Sequence, residues 1–157
     1  MEKVAIFVDV QNIYYTTRDT FKRPFNYRQF YQDIAKRFDI EGAYAYAIDK
    51  GDDQQLKFQS ALRHIGFEVK LKPFIQRSDG SAKGDWDVGI TIDVLEMAER
   101  VEHIILLSGD GDFAILLKKV KQKFNCNTSV YGVLNLSANA LISAADEFID
   151  IDQKWLL

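Results

Sequence analysis

The chain has little of what several common site chemistries need. Cys126 is its only cysteine, and His64 and His103 are its only histidines. An internal disulfide, a Cys-rich zinc site and a zinc centre built from histidines are therefore excluded. No apolar run approaches the roughly 20 residues that cross a bilayer. Neither sign of charge dominates, with a net charge of -3 and a pI of about 5.4. That balance does not suit a general nucleic-acid coat protein, which carries a basic face. It leaves room for a nucleic-acid enzyme, because carboxylates gathered in one site lower the net charge. The opening "MEKVAIFVDV" is too short and too soon charged for a secretory signal, so a cytoplasmic location is expected.

Internal repeats, low-complexity tracts and linkers are also missing, so residues 1–157 read as a single domain. Within it, strand-like and helix-like stretches alternate. Short apolar or alternating runs predict strands at 4–10, 42–49, 67–74, 103–109, 128–133 and 147–152. Amphipathic runs predict helices at 26–38, 52–65, 87–100, 112–124 and 137–146, with Asn26 as an N-cap and Gly66 as a stop. The strand at 67–74 ends in Pro73 and Phe74 and reads as an edge; the polar stretch 75–84 reads as a loop. Strands joined by single helices imply right-handed crossovers. The expected fold is a three-layer α/β sandwich, a mainly parallel sheet with helices on both faces. Ligands of such folds bind at the carboxyl ends of the strands, near the point where strand order reverses.

Acidic residues stand at those ends. Asp9 closes the first strand, with Asn12 three residues on; Asp110 and Asp112 follow the strand at 103–109 within "LLSGDGDF". "KGDWDVGITID" brings Asp85, Asp87 and Asp93 to the start of a helix. That helix runs antiparallel to the strand it feeds, which puts Asp87 near Asp110. Each motif also has an ordinary structural role: Asp-Gly-Asp makes turns, and Asp87 suits an N-cap. Asp93 shares a polar stripe with Gly89, Glu96 and Arg100, as on a solvated face. The conjunction weighs against independent turns, since an acid closing a buried strand is expensive unless satisfied. Gathered carboxylates repel, and a hard divalent cation, Mg²⁺ or Mn²⁺, removes that cost.

"FVDVQN" (7–12), "KGDWDVGITID" (83–93) and "LLSGDGDF" (106–113) together resemble the signature segments of NYN domains, of the LabA-like branch of the PIN-like nuclease superfamily. The resemblance implies a PIN-like, Rossmann-like fold and a Mg²⁺- or Mn²⁺-dependent ribonuclease. It places Asp9, Asp87, Asp110 and Asp112 as metal-holding acids, Asn12 as their polar companion, and Asp93 as a further acid. The family segment usually reads Lys-Gly-x-Asp-Val. Here Asp85 and Trp86 lengthen it by one residue, so Asp85 and Asp87 both qualify, and Asp87-Val88 preserves the Asp-Val pair.

Single-stranded RNA is the expected partner. Lys72, Arg77 and Lys83, in a basic stretch beside the acids, are candidates to hold its phosphates, and Ser108 is another donor. The same stretch also reads as a solvated loop. Tyr14 and Tyr15, just past Asn12, line either the substrate groove, the core or a dimer contact. An edge strand at 67–73 would offer the pairing a homodimer uses. The main expectation is an endoribonuclease hydrolysing phosphodiester bonds. The alternative is a catalytically weak or inactive module that binds RNA or a protein partner. A phosphatase-type Asp-x-Asp is missing, since the first strand gives Asp9-Val10-Gln11.

Overall fold

The computed structural model describes residues 1–73, 75–76, 82–83 and 85–157, with the side chains of 75, 76, 82 and 83 left aside. Among these residues, eight strands and six α-helices follow one another. They are β1 (Lys3–Asp9), α1 (Val10–Phe21), α2 (Tyr27–Arg37), β2 (Asp39–Asp49), α3 (Asp53–Ile65), β3 (Glu68–Pro73), β4 (Ile75–Gln76), β5 (Ala82–Lys83), α4 (Asp87–Met97), β6 (His103–Leu107), α5 (Ala114–Phe124), β7 (Asn127–Gly132), α6 (Asn139–Ala144) and β8 (Glu147–Asp150). Six strands form one sheet in the order β3-β2-β1-β6-β7-β8, and every pairing in it is parallel. β4 and β5 form a separate antiparallel ribbon.

The alternation of β1 shows how the layers arise. Val4, Ile6 and Val8 pack into one core with α1, α2 and α3. Ala5 and Phe7 pack into the other with α4, α5 and α6. A strand buried on both faces must be apolar at every position, which is what "VAIFV" supplies. Strand order runs outward from β1 to β3, then returns to β6 and runs outward the other way. With right-handed crossovers, that reversal moves the connecting helices from one face to the other. The switch point therefore lies between β1 and β6, and the loops leaving those strands open side by side.

The expected α/β sandwich is the fold observed, and Glu68–Pro73, within the stretch expected to be an edge, forms the edge strand β3. Some elements have no counterpart in the sequence reading: residues 11–25 have no assignment there, yet α1 occupies most of them, and the stretch 75–84, expected as a loop, contains the paired strands β4 and β5. The β-branched and aromatic residues of α1 have weak helix propensity. The Thr16 and Thr17 hydroxyls donate back to the Asn12 and Ile13 carbonyls, and only Val10, Ile13 and Thr17 are buried. The helix expected at 112–124 begins instead with a 3-10 turn, Gly111–Phe113. The helix expected at 137–146 is shorter and follows another such turn, Leu134–Leu136.

The loop after β6 is held against that second turn. The Ala138 N–H donates to the Gly109 carbonyl at 3.0 Å. A Cβ on Gly109 would stand 2.9 Å from the Leu136 carbonyl oxygen and 2.8 Å from Ser137 Oγ. Backbone cannot yield as a side chain can, so Gly109→Ala is expected to cost about 1–3 kcal/mol by overpacking. Urea denaturation of the variant, with unchanged slope and lower midpoint, checks this.

Candidate metal centre

Asp9 is half-buried where β1 passes directly into α1. It serves as the N-cap of that helix, its Oδ1 accepting from the Asn12 N–H at 3.5 Å. Its other oxygen accepts from the hydroxyl of Ser108, at 3.1 Å, across the switch point. Ser108 is wholly buried, and its Oγ in turn accepts from the Asp110 N–H at 3.1 Å. The Asn12 side-chain oxygen accepts from the Gly109 N–H at 2.9 Å. Two polar side chains thus tie the loop after β6 to the end of β1.

Asp110 caps the 3-10 turn, its Oδ1 accepting from the Asp112 N–H at 2.9 Å. Asp87 is the first residue of α4 rather than its expected N-cap, a position Trp86 takes without a side-chain capping bond. The residue before it, Trp86, sets its position. The indole N–H donates to the Ala47 carbonyl at the end of β2, at 2.9 Å, and the ring packs edge-on against Tyr46. A Cβ on Gly89 would lie 2.5 Å from that ring, so the close approach requires glycine.

Among the described residues, Asp9, Asp87 and Asp110 each offer a carboxylate oxygen, and these oxygens all lie within 4.8 Å of one another. A six-coordinate cation with bonds near 2.1 Å holds its ligands about 3–4 Å apart, so slight side-chain adjustment closes the set. The donors are oxygens throughout, which suits a hard divalent ion rather than a soft one. Burial pushes the Asp9 carboxyl up to about 6, with the Asp110 and Asp85 charges adding to the shift and the Ser108 and Asn12 hydrogen bonds opposing it. Asp87 is also raised, first by burial, then by its hydrogen bond to Asp110 and that neighbour's charge. Both shifts come first from burial and then from neighbouring acids, with no described cation among the causes that offset them.

The other candidates lie elsewhere. Asp112 is exposed and outside the three-acid group. Asp85 is exposed, and its Oδ1 accepts from the Asp87 N–H at 3.2 Å. Asp93 does not sit on a solvated face: its Oδ2 takes hydrogen bonds from Tyr46 at 2.8 Å and Lys70 at 2.6 Å. Ser108 does not reach outward to a phosphate, because its buried hydroxyl is engaged by Asp9 and Asp110. Lys72 donates to the Asp85 carbonyl at 3.0 Å and lies over the Trp86 ring. Of Lys83 only the backbone is described, paired with Ile75, and Arg77 lies outside the described residues. The sequence reading missed Trp86 and Tyr46 as supports; the signal was Trp86 three residues ahead of Gly89.

A doubly wound parallel sheet with clustered acids at its switch point defines a Rossmann-like α/β domain with a candidate site for a hard divalent cation. The NYN domain family model matches residues 3–152, and the chain belongs to that family. It is 33% identical over 160 residues to the Low amplitude and bright protein LabA of Synechococcus elongatus, covering 96% of this chain and 84% of that one. The crystal structure of a protein of unknown function from Vibrio parahaemolyticus superposes with a TM-score of 0.94 at 51% identity, over 99% of this chain and 96% of the other. No helix among the described residues is long and apolar enough to cross a membrane.

Asp9 titrates near 6 in the folded chain, against an ordinary value of 3.8. The folded state therefore holds the extra proton between those values, and stability falls as pH rises through that window, by on the order of 3 kcal/mol. Asp87, pushed up to about 7, extends the window, so metal-free protein in chelator, unfolded with urea, is expected to lose stability from about pH 4 to 7 and then level off. Asp9→Asn is expected to remove the Asp9 share of that decline, mainly between about pH 4 and 6, and to leave the part due to Asp87.

Proposed function

We propose that this protein is a Mg²⁺- or Mn²⁺-dependent endoribonuclease that hydrolyses phosphodiester bonds of single-stranded RNA. The observation that carries the reading is the meeting of Asp9, Asp87 and Asp110 at the switch point, within 4.8 Å. In this reading those three residues hold the cation. When bound, it lowers the pKa of water and balances charge on the phosphoryl oxygens. The protein's own part is positional. Ser108 and the Asn12 N–H fix both oxygens of Asp9, and Asn12 holds the Gly109 loop from which Asp110 projects. The Trp86 anchor sets the start of α4 and with it Asp87. A nucleophilic side chain is not required, because water attacks and the departing ribose oxygen takes a proton from solvent.

Membership of the NYN family and the hard-oxygen donor set both support this reading. The alternative, a catalytically weak or inactive module that binds RNA or a protein partner, draws on one observation. Asp112, expected as a fourth acid, stands apart and exposed.

The test is cleavage of an unstructured RNA in Mg²⁺ or Mn²⁺, with chelator as control. Asp110→Asn is expected to lower the rate at least about 100-fold, while Asp112→Asn keeps most of it. Full activity in Asp110→Asn would overturn the site, and binding without cleavage in either metal would favour the regulatory module.

A further inference from the structure

A second feature begins where the acidic centre ends. Along α1, Gln11, Tyr14, Tyr15, Arg18 and Lys22 recur at three- and four-residue intervals and so share one stripe. Val10, Ile13 and Thr17 are its buried residues. Tyr14 is 49% exposed and Tyr15 40% exposed, unusual for adjacent tyrosines on a helix with so short a buried face. Across from them α3 presents Phe58, 38% exposed. The two helices wall a groove of about 670 Å³. Ala47 and Ile48, from the carboxyl end of β2, contribute to its lining.

The groove's charge is opposite to that of the acidic centre. Arg18, Lys22, Arg23 and Lys50 line it against one acidic side chain, Asp52, with Arg23 donating to the Leu156 and Leu157 carbonyl oxygens, in a chain whose net charge is -3. The Arg18 guanidinium lies 5.4 Å from the Tyr14 ring centre and 4.9 Å from that of Tyr15, beside an edge-on pair of rings 5.3 Å apart. Exposed aromatic faces interleaved with cations match unpaired bases on a phosphate backbone, since stacking takes bases of any kind and the cations follow the chain. A duplex does not offer those faces, because its bases are already stacked on one another.

The groove begins beside the centre, although none of the three acids lines it. Val10 and Gln11 line it and directly follow Asp9. Ala47 lines it too, and its carbonyl accepts from Trp86, the neighbour of Asp87. At 1.5 Å per residue, α1 extends the stripe about 18 Å away from Asp9, enough for several nucleotides.

We infer that the groove between α1 and α3 binds single-stranded RNA, with Tyr14, Tyr15 and Phe58 stacking bases and Arg18 and Lys22 holding phosphates, and leads the strand to the acidic centre. The destination of the strand rests on the proposed nuclease reading; the binding does not. The cationic path lies on the α1 side of the sheet, whereas Lys72, the described member of the basic stretch that the sequence pointed to, lies over Trp86.

The experiment measures fluorescence anisotropy of a short labelled oligouridylate with the full chain in chelator, where hydrolysis is absent. Tyr14→Ala and Tyr15→Ala are each expected to weaken binding about tenfold. Arg18→Glu is expected to weaken it further and to make the salt dependence shallower by about one phosphate contact. Lys118→Ala, on the outer side of α5, is the unchanged control. Three results would each overturn the inference: no binding by the wild-type chain, equal affinity for duplex RNA, or folded Tyr14, Tyr15 and Arg18 variants within about twofold of wild type. A cleavage assay in Mn²⁺ separates the two readings. Binding through the groove without cleavage removes the nuclease and keeps the groove. Cleavage by a chain whose groove variants bind and cut normally removes the groove and keeps the nuclease.

Discussion

Three carboxylates held within 4.8 Å, with no cation among them from the described residues, are the constraint around which the rest of the molecule is arranged. Left alone, such groups separate, because their charges repel and partial burial removes the water that would screen them. The fold prevents separation by building each acid into a junction that cannot move without breaking something else. Asp9 is both the end of a central strand and the cap of α1. Asp110 is the cap of a 3-10 turn whose loop is bonded to Asn12. Asp87 begins a helix whose preceding residue is bonded to β2. The raised Asp9 and Asp87 carboxyls are the electrostatic counterpart of this confinement. Stability given up at the switch point is the usual consequence of preorganising a charged site.

The same arrangement explains why the capping and site readings of the acids are not rivals. A carboxylate has two oxygens and about four acceptor sites, so a cap uses only part of its capacity. Asp9 and Asp110 both cap, and capping fixes their orientation. Lys70 has a different task. It donates to Asp93, which also accepts from Tyr46, so this acid is paired within the protein rather than gathered with the three.

Sequence patterning made most of this legible, for identifiable reasons. Strands buried on both faces leave continuous apolar runs, and Asn26 and Gly66 mark helix ends by their own backbone preferences. Topology then brought Asp9, Asp87 and Asp110 to one edge without any side-chain detail. What stayed hidden depended on contacts between residues distant in the chain. Asp93 looked solvated because helical periodicity sees only its own helix, whereas Tyr46 and Lys70 come from β2 and β3. Ser108 looked like an outward donor because the hydroxyl's partners, Asp9 and the Asp110 N–H, are set by the neighbouring strand and the following turn. Asp112 was grouped with Asp110 by sequence proximity, yet Asp110 caps the 3-10 turn and joins the three-acid group while Asp112, within the turn, is exposed and outside it. α1 escaped because its stability comes from docking through Val10, Ile13 and Thr17 and from the Asp9 cap, not from propensity.

That helix also shows why a net charge near zero says little about partners. Summed over the chain, acids slightly exceed bases. Resolved in space, acids concentrate at the ends of β1 and β6 and the start of α4, while cations and tyrosines concentrate along α1. A polyanion approaching the acidic pocket alone would be repelled; one lying along α1 has its charge met before its scissile region reaches the carboxylates. The first turn of α1 is where the two regions join, since Asp9 caps the helix whose next residues, Val10 and Gln11, open the groove. One local feature, a strand that turns into a helix at an aspartate, therefore fixes both the position of an acid and the direction of the surface that leads away from it.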